Sequence, residues 1–220
     1  MDFLNKFGIN IKDKELLLRA LTHSSYSNEH NCLNYERLEF LGDAVLELSI
    51  SDYLYRNMNF KEGDMTKIRA SYVCENALAE YAKDLLLSDY IKVGHGEEVD
   101  GGRFKKVIQA DIFEALMGAI YLDLGYDVVK KVILDIIVPY IEDPNIVFFS
   151  DYKSALQECV QTEQRNLVYE LVDEEGPSHN KTFTIIVKID DIIYGKGVAN
   201  SKKEAEQEAA KSALSKLAKF

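Results

Sequence analysis

The sequence is poor in several residue types that mark particular protein classes, because its 220 residues include no tryptophan, three prolines and three cysteines. Cys32, Cys74 and Cys159 are odd in number and form no CxxC pair, which argues against a disulfide framework or a zinc site and suits reduced thiols in a cytosol. No apolar run is long enough to cross a membrane, and the opening MDFLNKFGINIKDKE turns polar too early for a signal peptide. We therefore expect a cytoplasmic protein with no membrane partner.

Positive charge is also scarce, since 26 Lys and Arg residues are set against 37 Asp and Glu residues, for a net charge of −11. Taken alone, this charge argues against nucleic acid as a partner and favours a soluble acidic protein. An RNA-binding hypothesis must therefore depend on local basic patches, or on a metal that reverses the sign of an acidic site.

The pattern of the chain changes near residue 150. Before this point it is mostly helical, with helices predicted in LLLRAL, in NALAEYAKDLLL and at about residues 109–124. After Pro144, a helix at residues 152–164 precedes three runs rich in β-branched and aromatic residues (NLVYELV, KTFTIIVKI and DIIYGKGVA) and a strong final helix. We predict a multidomain protein, with an all-α domain at residues 1–147 and a small α+β domain, α-β-β-β-α, at residues 148–220.

The stretch YERLEFLGDAVLE, residues 35–47, predicts an apolar helix with an unusual acidic stripe. At about 100° per residue, four carboxylates fall on one narrow face, and these are Glu36, Glu39, Asp43 and Glu47. The opposite face is predicted to be core, and consists of Leu38, Leu41, Val45 and Leu48. Carboxylates among apolar neighbours are costly unless they are protonated, paired or bound to a metal.

A second segment, DIFEALMGAIYLD at residues 111–123, also places carboxylates among apolar residues. Asp111 and Glu114 lie at i and i+3 of a helix that is apolar almost all round, and no Lys or Arg occurs between Val107 and Lys130. Gly118, on the same face, would allow another segment to approach the backbone closely. Two such helices could face each other across divalent cations, and oxygen ligands without His or Cys favour Mg²⁺ or Mn²⁺ over zinc.

Each acidic residue also has an ordinary explanation. Glu36 or Glu47 alone could be a solvated helix residue, Asp111 could cap a helix, and EGDM at residues 62–65 could be a turn that leads into a helix. The conjunction of two acidic stripes without cations favours the metal site.

The segment ERLEFLGDAVL resembles the signature of the ribonuclease III family of double-stranded-RNA endonucleases. LTHSSY, EGDMTKIRASYV and GGRFKKVIQADIFEALMGAIYLDLG resemble its other nuclease blocks, and DYKSALQE, GPSH and SKKEAEQEAA are similar to its double-stranded-RNA-binding domain. The order and compact layout resemble the bacterial class.

This resemblance implies a set of site residues and a chemistry. It implies a metal site formed by four carboxylates, which are Glu39, Asp43, Asp111 and Glu114. Of these, Asp43 and Glu114 are the expected catalytic residues. Glu36 and Glu62 match further acidic positions. Mg²⁺, or Mn²⁺ in its place, would activate water, and the products would carry 5′-phosphate and 3′-hydroxyl ends. No small-molecule cofactor is expected, and His23 is expected to order the end of a helix and not to act as an acid or base.

Duplex cleavage requires two cuts, and the family provides them by pairing two nuclease domains, which leaves short 3′ overhangs. The resemblance therefore implies a homodimer through the N-terminal domain, and precursor ribosomal and other structured RNAs, messengers included, as substrates. Phe40, beside the acidic stripe, is the candidate interface residue. Ordinary core packing is its alternative.

The C-terminal domain carries a net charge of −2, from 10 cations and 12 acids, so most of the acidic excess lies in residues 1–150. Lys202 and Lys203 open the final helix, where free N–H groups favour phosphate. On the first helix of this domain, a polar stripe lies opposite Leu156, Cys159 and Val160, and it consists of Ser154, Gln157, Glu158 and Gln161. Neutral polar side chains of this kind suit an RNA minor groove, and so does His179 in the turn GPSHN. The alternative is a small domain with an ordinary polar surface.

Two other function classes remain open from the residues themselves. A double-stranded-RNA-binding protein without cleavage would be favoured by loss of a metal carboxylate, and here all four are present. A metal-dependent hydrolase of small phosphorylated molecules suits the acidic charge, but it leaves the C-terminal lysines and polar stripe unexplained.

Overall fold

The computed structural model describes residues 2–143, 146, 148, 152–162, 165–176 and 181–217. Contacts divide the chain into two compact units, residues 1–149 and 150–220, so that the division lies two residues beyond the boundary placed after residue 147. The first unit is helical, and the second has three antiparallel strands between two helices. The predicted fold class is therefore confirmed.

The first unit is built from helices joined by short loops and two turns of 3-10 helix, Leu87–Asp89 and Gly102–Phe104. Its helices are α1 (Asp2–Lys6), α2 (Lys14–Ala20), α3 (Ser24–His30), α4 (Glu36–Asn57), α5 (Glu62–Tyr72), α6 (Glu75–Asp84), α7 (His95–Val99), α8 (Lys106–Leu124) and α9 (Tyr126–Glu142). The core centres on α8, which packs against α2, α4, α6 and α9 and is buried almost all round, as its apolar sequence predicts.

The apolar face of α4 is correctly predicted only in part. Leu38 and Val45 are buried and Leu41 is half-buried, but Leu48 is 56% exposed, so its assignment to the core is wrong. The physical reason is the position of Gly42, which lies against α8 and sets which side of α4 faces the core. At about 100° per residue, Leu48 lies roughly 120° away from that contact.

The second unit contains α10 (Tyr152–Thr162), β1 (Leu167–Glu175), β2 (Thr182–Ile189), β3 (Ile192–Ala199) and α11 (Lys202–Leu217). The sheet order is β1-β2-β3, with both pairs antiparallel. Alternate residues of β2 share a core with both helices, and they are Ile185, Val187 and Ile189. On α10, Leu156 and Val160 join this core as predicted, whereas Cys159 is exposed, so its placement on the buried face is wrong.

Contact between β3 and α11 depends on two glycines. A Cβ atom on Gly195 would lie 2.1 Å from the carbonyl oxygen of Ala209, and one on Gly197 would lie 2.1 Å from that of Ala205. The strand and the alanine-rich face of the helix therefore touch backbone to backbone, which orients α11 on the sheet.

The cysteines are free thiols, as their spacing predicts. Within the described residues, no helix combines the length and the apolar character needed to span a membrane.

Candidate metal centre and RNA-binding surface

Two glycines bring α4 and α8 into direct backbone contact. A Cβ atom on Gly42 would lie 1.8 Å from the carbonyl oxygen of Glu114, and one on Gly118 would lie 2.3 Å from that of Leu38. The close approach predicted at Gly118 is confirmed, and the approaching segment is α4 itself. Because Glu39 and Asp43 lie within one turn of Gly42, this crossing brings the two acidic stripes together.

The four-carboxylate site consists of Glu39, Asp43, Asp111 and Glu114. Negative charges within it repel one another. Burial, reinforced by the negative charges of the other three carboxylates, raises the pKa of Glu114 to about 8. Burial also raises the pKa of Glu39 to about 6, helped by Asp111, Glu36 and Asp43. Glu39 and Glu114 are thus partly withdrawn from water beside other carboxylates, whereas the side chain of Asp43 is exposed.

Asp111 differs from its neighbours because it has a hydrogen-bond donor. Burial raises its pKa, while a hydrogen bond from Tyr35 and the nearby His23 lower it. The Tyr35 hydroxyl donates to Asp111 Oδ2 at 2.9 Å, and burial raises the pKa of this hydroxyl far above its usual range, so it remains a donor. The sequence did not point to Tyr35, because its partner lies 76 residues away and no local pattern connects them.

The donor set fits a hard divalent cation. Among the described residues, none of the four carboxylates forms a salt bridge with Lys, Arg or His, so their charge is left for another cation. All the ligand atoms would be carboxylate oxygens, which is the chemistry of Mg²⁺ and Mn²⁺ sites. No three His, Cys, Asp or Glu side chains in the described part of the chain already have the arrangement of metal ligands. Coordination therefore requires rotation of side chains on a fixed pair of helices.

The further acidic residues occupy different places. Glu36 is exposed in the first turn of α4, near enough to raise the pKa of Glu39. Glu62 begins α5, where it accepts a hydrogen bond from Thr66 Oγ1 at 3.1 Å. It lines a cleft of about 500 Å³ together with Leu48 and Tyr55. The hydrogen bond of Glu62 thus stays within α5, its cleft is shared with the later part of α4, and within one chain the structure does not bring it to the four-carboxylate site.

His23 has the role that the sequence predicts. Its Nδ1 accepts a hydrogen bond from the backbone N–H of Ser25 at 3.2 Å, so the imidazole caps the start of α3. Phe40 is 82% exposed on the nuclease unit, so ordinary core packing, the alternative for this residue, is wrong.

Comparisons with known proteins agree with this architecture. A family profile described as Ribonuclease-III-like matches residues 13–141, and one described as Double-stranded RNA binding motif matches residues 152–217. The chain belongs to the ribonuclease III family. A protein named Ribonuclease 3 from Caldanaerobacter subterraneus subsp. tengcongensis is 49% identical over 217 residues, which cover 96% of this chain and 95% of that protein. Another, from Bacillus cereus, is 44% identical over 220 residues, which cover 98% and 90%.

Solved structures give the same result for the nuclease unit. The nuclease domain of ribonuclease III from Campylobacter jejuni is 40% identical, with a TM-score of 0.59, over 62% of this chain and 94% of that one. That nuclease domain is described as structurally flexible in a region involved in dimer formation. Family membership makes the present chain a double-strand-specific endoribonuclease, with the nuclease in the first unit and the RNA-binding motif in the second.

The predicted phosphate-binding lysines lie where the sequence places them, in the first turn of α11. Lys202 is exposed, with Nζ 5.5 Å from the centre of the Phe183 ring and 4.0 Å from a Glu174 carboxylate oxygen. Lys203 is also exposed. Both side chains thus lie at the surface of the second unit.

The structure describes the side chains of three of the four residues in the polar stripe on α10. Gln157 and Gln161 are exposed and Ser154 is half-buried, so all three lie on the outer side of the helix or at its edge. The side chain of Glu158 and the whole of His179 lie outside the described residues.

Proposed function

We propose that the chain is a Mg²⁺-dependent endoribonuclease that hydrolyses both strands of double-stranded RNA and leaves 5′-phosphate and 3′-hydroxyl ends. The observation that carries this proposal is the crossing of α4 and α8 at Gly42 and Gly118, which gathers four carboxylates without a cationic partner in the described residues. No structural reason explains why a buried helix pair would hold such a set, since removal of the charges would relieve the repulsion.

In this proposal the four-carboxylate site holds the metal, and Asp43 and Glu114 are its catalytic residues. When bound, Mg²⁺ or Mn²⁺ supplies an activated water and offsets charge on the phosphate and the departing 3′ oxygen. Glu114, with a pKa of about 8, must release a proton before it can act as a ligand, so cation binding and proton release are coupled. The buried Tyr35 hydroxyl fixes one oxygen of Asp111.

Both strands are cut by a homodimer of the nuclease units, with one site per subunit and short 3′ overhangs in the products. Support comes from the exposed Phe40 and from the apolar surface further along α4, where Leu48 is 56% and Tyr55 78% exposed. Contiguous exposed apolar side chains of this kind mark protein interfaces. The similar nuclease domain from Campylobacter jejuni has a region involved in dimer formation, which also supports pairing here.

RNA is held by the second unit, with phosphates at the start of α11 and the minor groove at α10 and His179. A hydrolase of small phosphorylated molecules loses its support, because the residues it left unexplained lie within a match to the double-stranded RNA binding motif. The substrates we propose are precursor ribosomal RNA and other structured RNAs. The cytoplasmic location expected from the sequence stays a prediction.

The test is incubation of the purified protein with a labelled RNA hairpin, with and without Mg²⁺. We expect paired cuts only with the cation, 5′-phosphate and 3′-hydroxyl ends, and no cutting of the matching DNA hairpin. Equal cleavage in the presence of a chelator would contradict the metal assignment. Tight duplex binding without any cleavage would leave the RNA-binding alternative as the correct one.

A further inference from the structure

Tyr35 lies where α4 begins, and it connects this helix to α8. Its side chain is 4% exposed, and its hydroxyl donates to Asp111 Oδ2 at 2.9 Å. Its backbone carbonyl oxygen accepts the backbone N–H of Glu39 at 3.0 Å. Tyr35 therefore holds the carboxylate of Asp111 on α8 through its side chain. Through its backbone it holds the turn of α4 that carries the carboxylate of Glu39.

The position of the Tyr35 ring is set by groups outside the four-carboxylate site. The backbone N–H of Tyr35 donates to the carbonyl oxygen of Thr22 at 3.0 Å, and its ring packs against that of His23, with the ring centres 5.7 Å apart. His23 is in turn held by Ser25, whose hydroxyl oxygen accepts the backbone N–H of Gly94 at 2.8 Å. The hydroxyl of Tyr35 is thus presented to Asp111 by a chain of fixed contacts.

The acceptor of this buried hydroxyl is a carboxylate and not a backbone carbonyl. A buried hydroxyl needs an acceptor, and a backbone carbonyl is sufficient, as for Tyr81, whose hydroxyl donates to the carbonyl oxygen of Tyr72 at 3.1 Å. Tyr35 donates to a carboxylate that has no salt bridge among the described residues. The bond restricts rotation of the Asp111 carboxylate and leaves the lone pairs of Oδ1 available.

We infer that Tyr35 is a positioning residue of the metal centre, and that its hydroxyl orients Asp111 for binding a divalent cation. This inference rests on the proposed function, because it assumes that Asp111 is a metal ligand. Outer hydrogen bonds to metal-ligating groups typically change metal affinity by about 10–100-fold.

The decisive variant is Tyr35→Phe, which removes one hydroxyl and keeps the ring. Tyr81→Phe is the matched control, since it removes a buried hydroxyl of the same unit that donates to a backbone carbonyl oxygen and not to a carboxylate. Mn²⁺ alone is titrated by calorimetry into each RNA-free protein, and the Mg²⁺ concentration for half-maximal cleavage of a saturating hairpin is measured in parallel.

For Tyr35→Phe we expect about a tenfold weaker Mn²⁺ affinity and a similar rise in the Mg²⁺ requirement, with an unchanged KM for RNA. Tyr81→Phe should lower the melting temperature and leave both metal readouts within about twofold of the parent. Unchanged Mn²⁺ binding by Tyr35→Phe would overturn the inference, whatever happens to activity.

The variant Asp111→Asn distinguishes a failure of the inference about Tyr35 from a failure of the proposed function. If Asp111→Asn binds Mn²⁺ as the parent does, the metal assignment itself fails. If it binds poorly while Tyr35→Phe binds normally, only the role of Tyr35 fails. In the double variant, loss of the hydroxyl should cause no further loss of affinity, and a second full loss of about tenfold would show that Tyr35 acts elsewhere.

Discussion

The four-carboxylate site of the first unit contrasts with the paired surface carboxylates of the second unit. In the second unit, hydrogen bonds from Lys181 and Arg165 hold the pKa values of Glu174 and Asp190 below their usual range. In the first unit, the four-carboxylate site has no such partner in the described residues. Burial raises the pKa of Glu39, Asp111 and Glu114, and repulsion by neighbouring carboxylates adds to the shifts of Glu39 and Glu114. Glu174 and Asp190 are thus paired within the protein, whereas no Lys or Arg of the described residues pairs with the carboxylates at the helix crossing, as the proposed metal site requires.

The largest effect should come from removing a charge at the crossing. Asp43→Asn and Glu114→Gln should each lower cleavage by more than ~100-fold, since loss of a ligand exceeds the usual cost of disturbing its surroundings. Duplex binding should be nearly unchanged. Both metal-free variants should melt no lower than the metal-free parent, because each substitution removes a carboxyl group whose ionised form is repelled by its neighbours. Mg²⁺ should raise the melting temperature of the parent more than that of either variant.

Asp190→Asn is the matched control from the second unit, where the charge is paired with Arg165. It should leave cleavage within about twofold of the parent, as most surface pairs contribute little. Parental cleavage by Glu114→Gln, or lower metal-free stability with persistent cleavage, would show that the crossing is structural and that the comparison is wrong.

The next effect concerns the backbone contact that gathers the carboxylates. Gly42→Ala places a methyl group 1.8 Å from the carbonyl oxygen of Glu114, so the helices must separate. Overpacking of this kind costs roughly 1–3 kcal/mol or more, and we expect a melting temperature several degrees lower together with weaker Mn²⁺ binding. Thermal melting and calorimetry measure both.

Gly63→Ala, in helix α5, provides the control, because a Cβ atom there meets no atom within 4 Å. It should stabilise the protein by about 0.5–1 kcal/mol through helix propensity and leave metal binding unchanged. Gly195→Ala should disturb the β3–α11 contact, and so lower RNA affinity without changing Mn²⁺ binding by the nuclease unit. Equal metal losses in all three variants would argue against a specific role for the crossing.

The pH dependence of stability should differ in sign between the two kinds of carboxylate. Glu114 and Glu39 have folded-state pKa values of about 8 and about 6, above the ordinary value of 4.5. Between about pH 4.5 and 8 the folded protein therefore holds more protons than the unfolded chain, and metal-free stability falls as the pH rises. The lowered pKa values of Glu174 and Asp190 predict the reverse, a loss of stability as acid protonates them.

Chemical denaturation in a chelator across about pH 5–8 tests the first part. Glu114→Gln should flatten the fall, and saturating Mg²⁺ should reduce it, because the cation replaces the protons. A metal-free stability that is independent of pH across this window would show that the crossing is better hydrated than the structure indicates.

The smallest effect concerns the lysines of α11. Lys202→Ala with Lys203→Ala should weaken RNA binding and lower the slope of log affinity against log salt by roughly one for each phosphate that is no longer bound. Preference for duplex RNA over duplex DNA should remain, because 2′-hydroxyl binding is assigned to α10 and His179. Lys216→Ala, in the last turn of the same helix, should alter neither quantity. An unchanged salt slope in the double variant would refute the phosphate role.

Much of the fold could be predicted from local patterns. Runs of β-branched and aromatic residues predicted the three strands in their observed places, and the apolar segment around Asp111 predicted a buried helix. The spacing of Glu39, Asp43, Asp111 and Glu114 also predicted two acidic stripes, because side chains three or four residues apart share a helix face. Residue type and spacing are properties of the chain, so these inferences did not need the tertiary structure.

The sequence by itself determined which helices carry the acids and that lysines open the last helix, and it favoured a metal site as the hypothesis for the acids. Only the tertiary structure decided where the helices cross, and this point determines which side of each is buried. It therefore exposed Leu48, placed the Tyr35 hydroxyl against Asp111 and put Glu62, at the start of α5, in a cleft beside the later part of α4. The physical reason is that a crossing point depends on contacts between distant residues, here the fit of Gly42 against Glu114 and of Gly118 against Leu38.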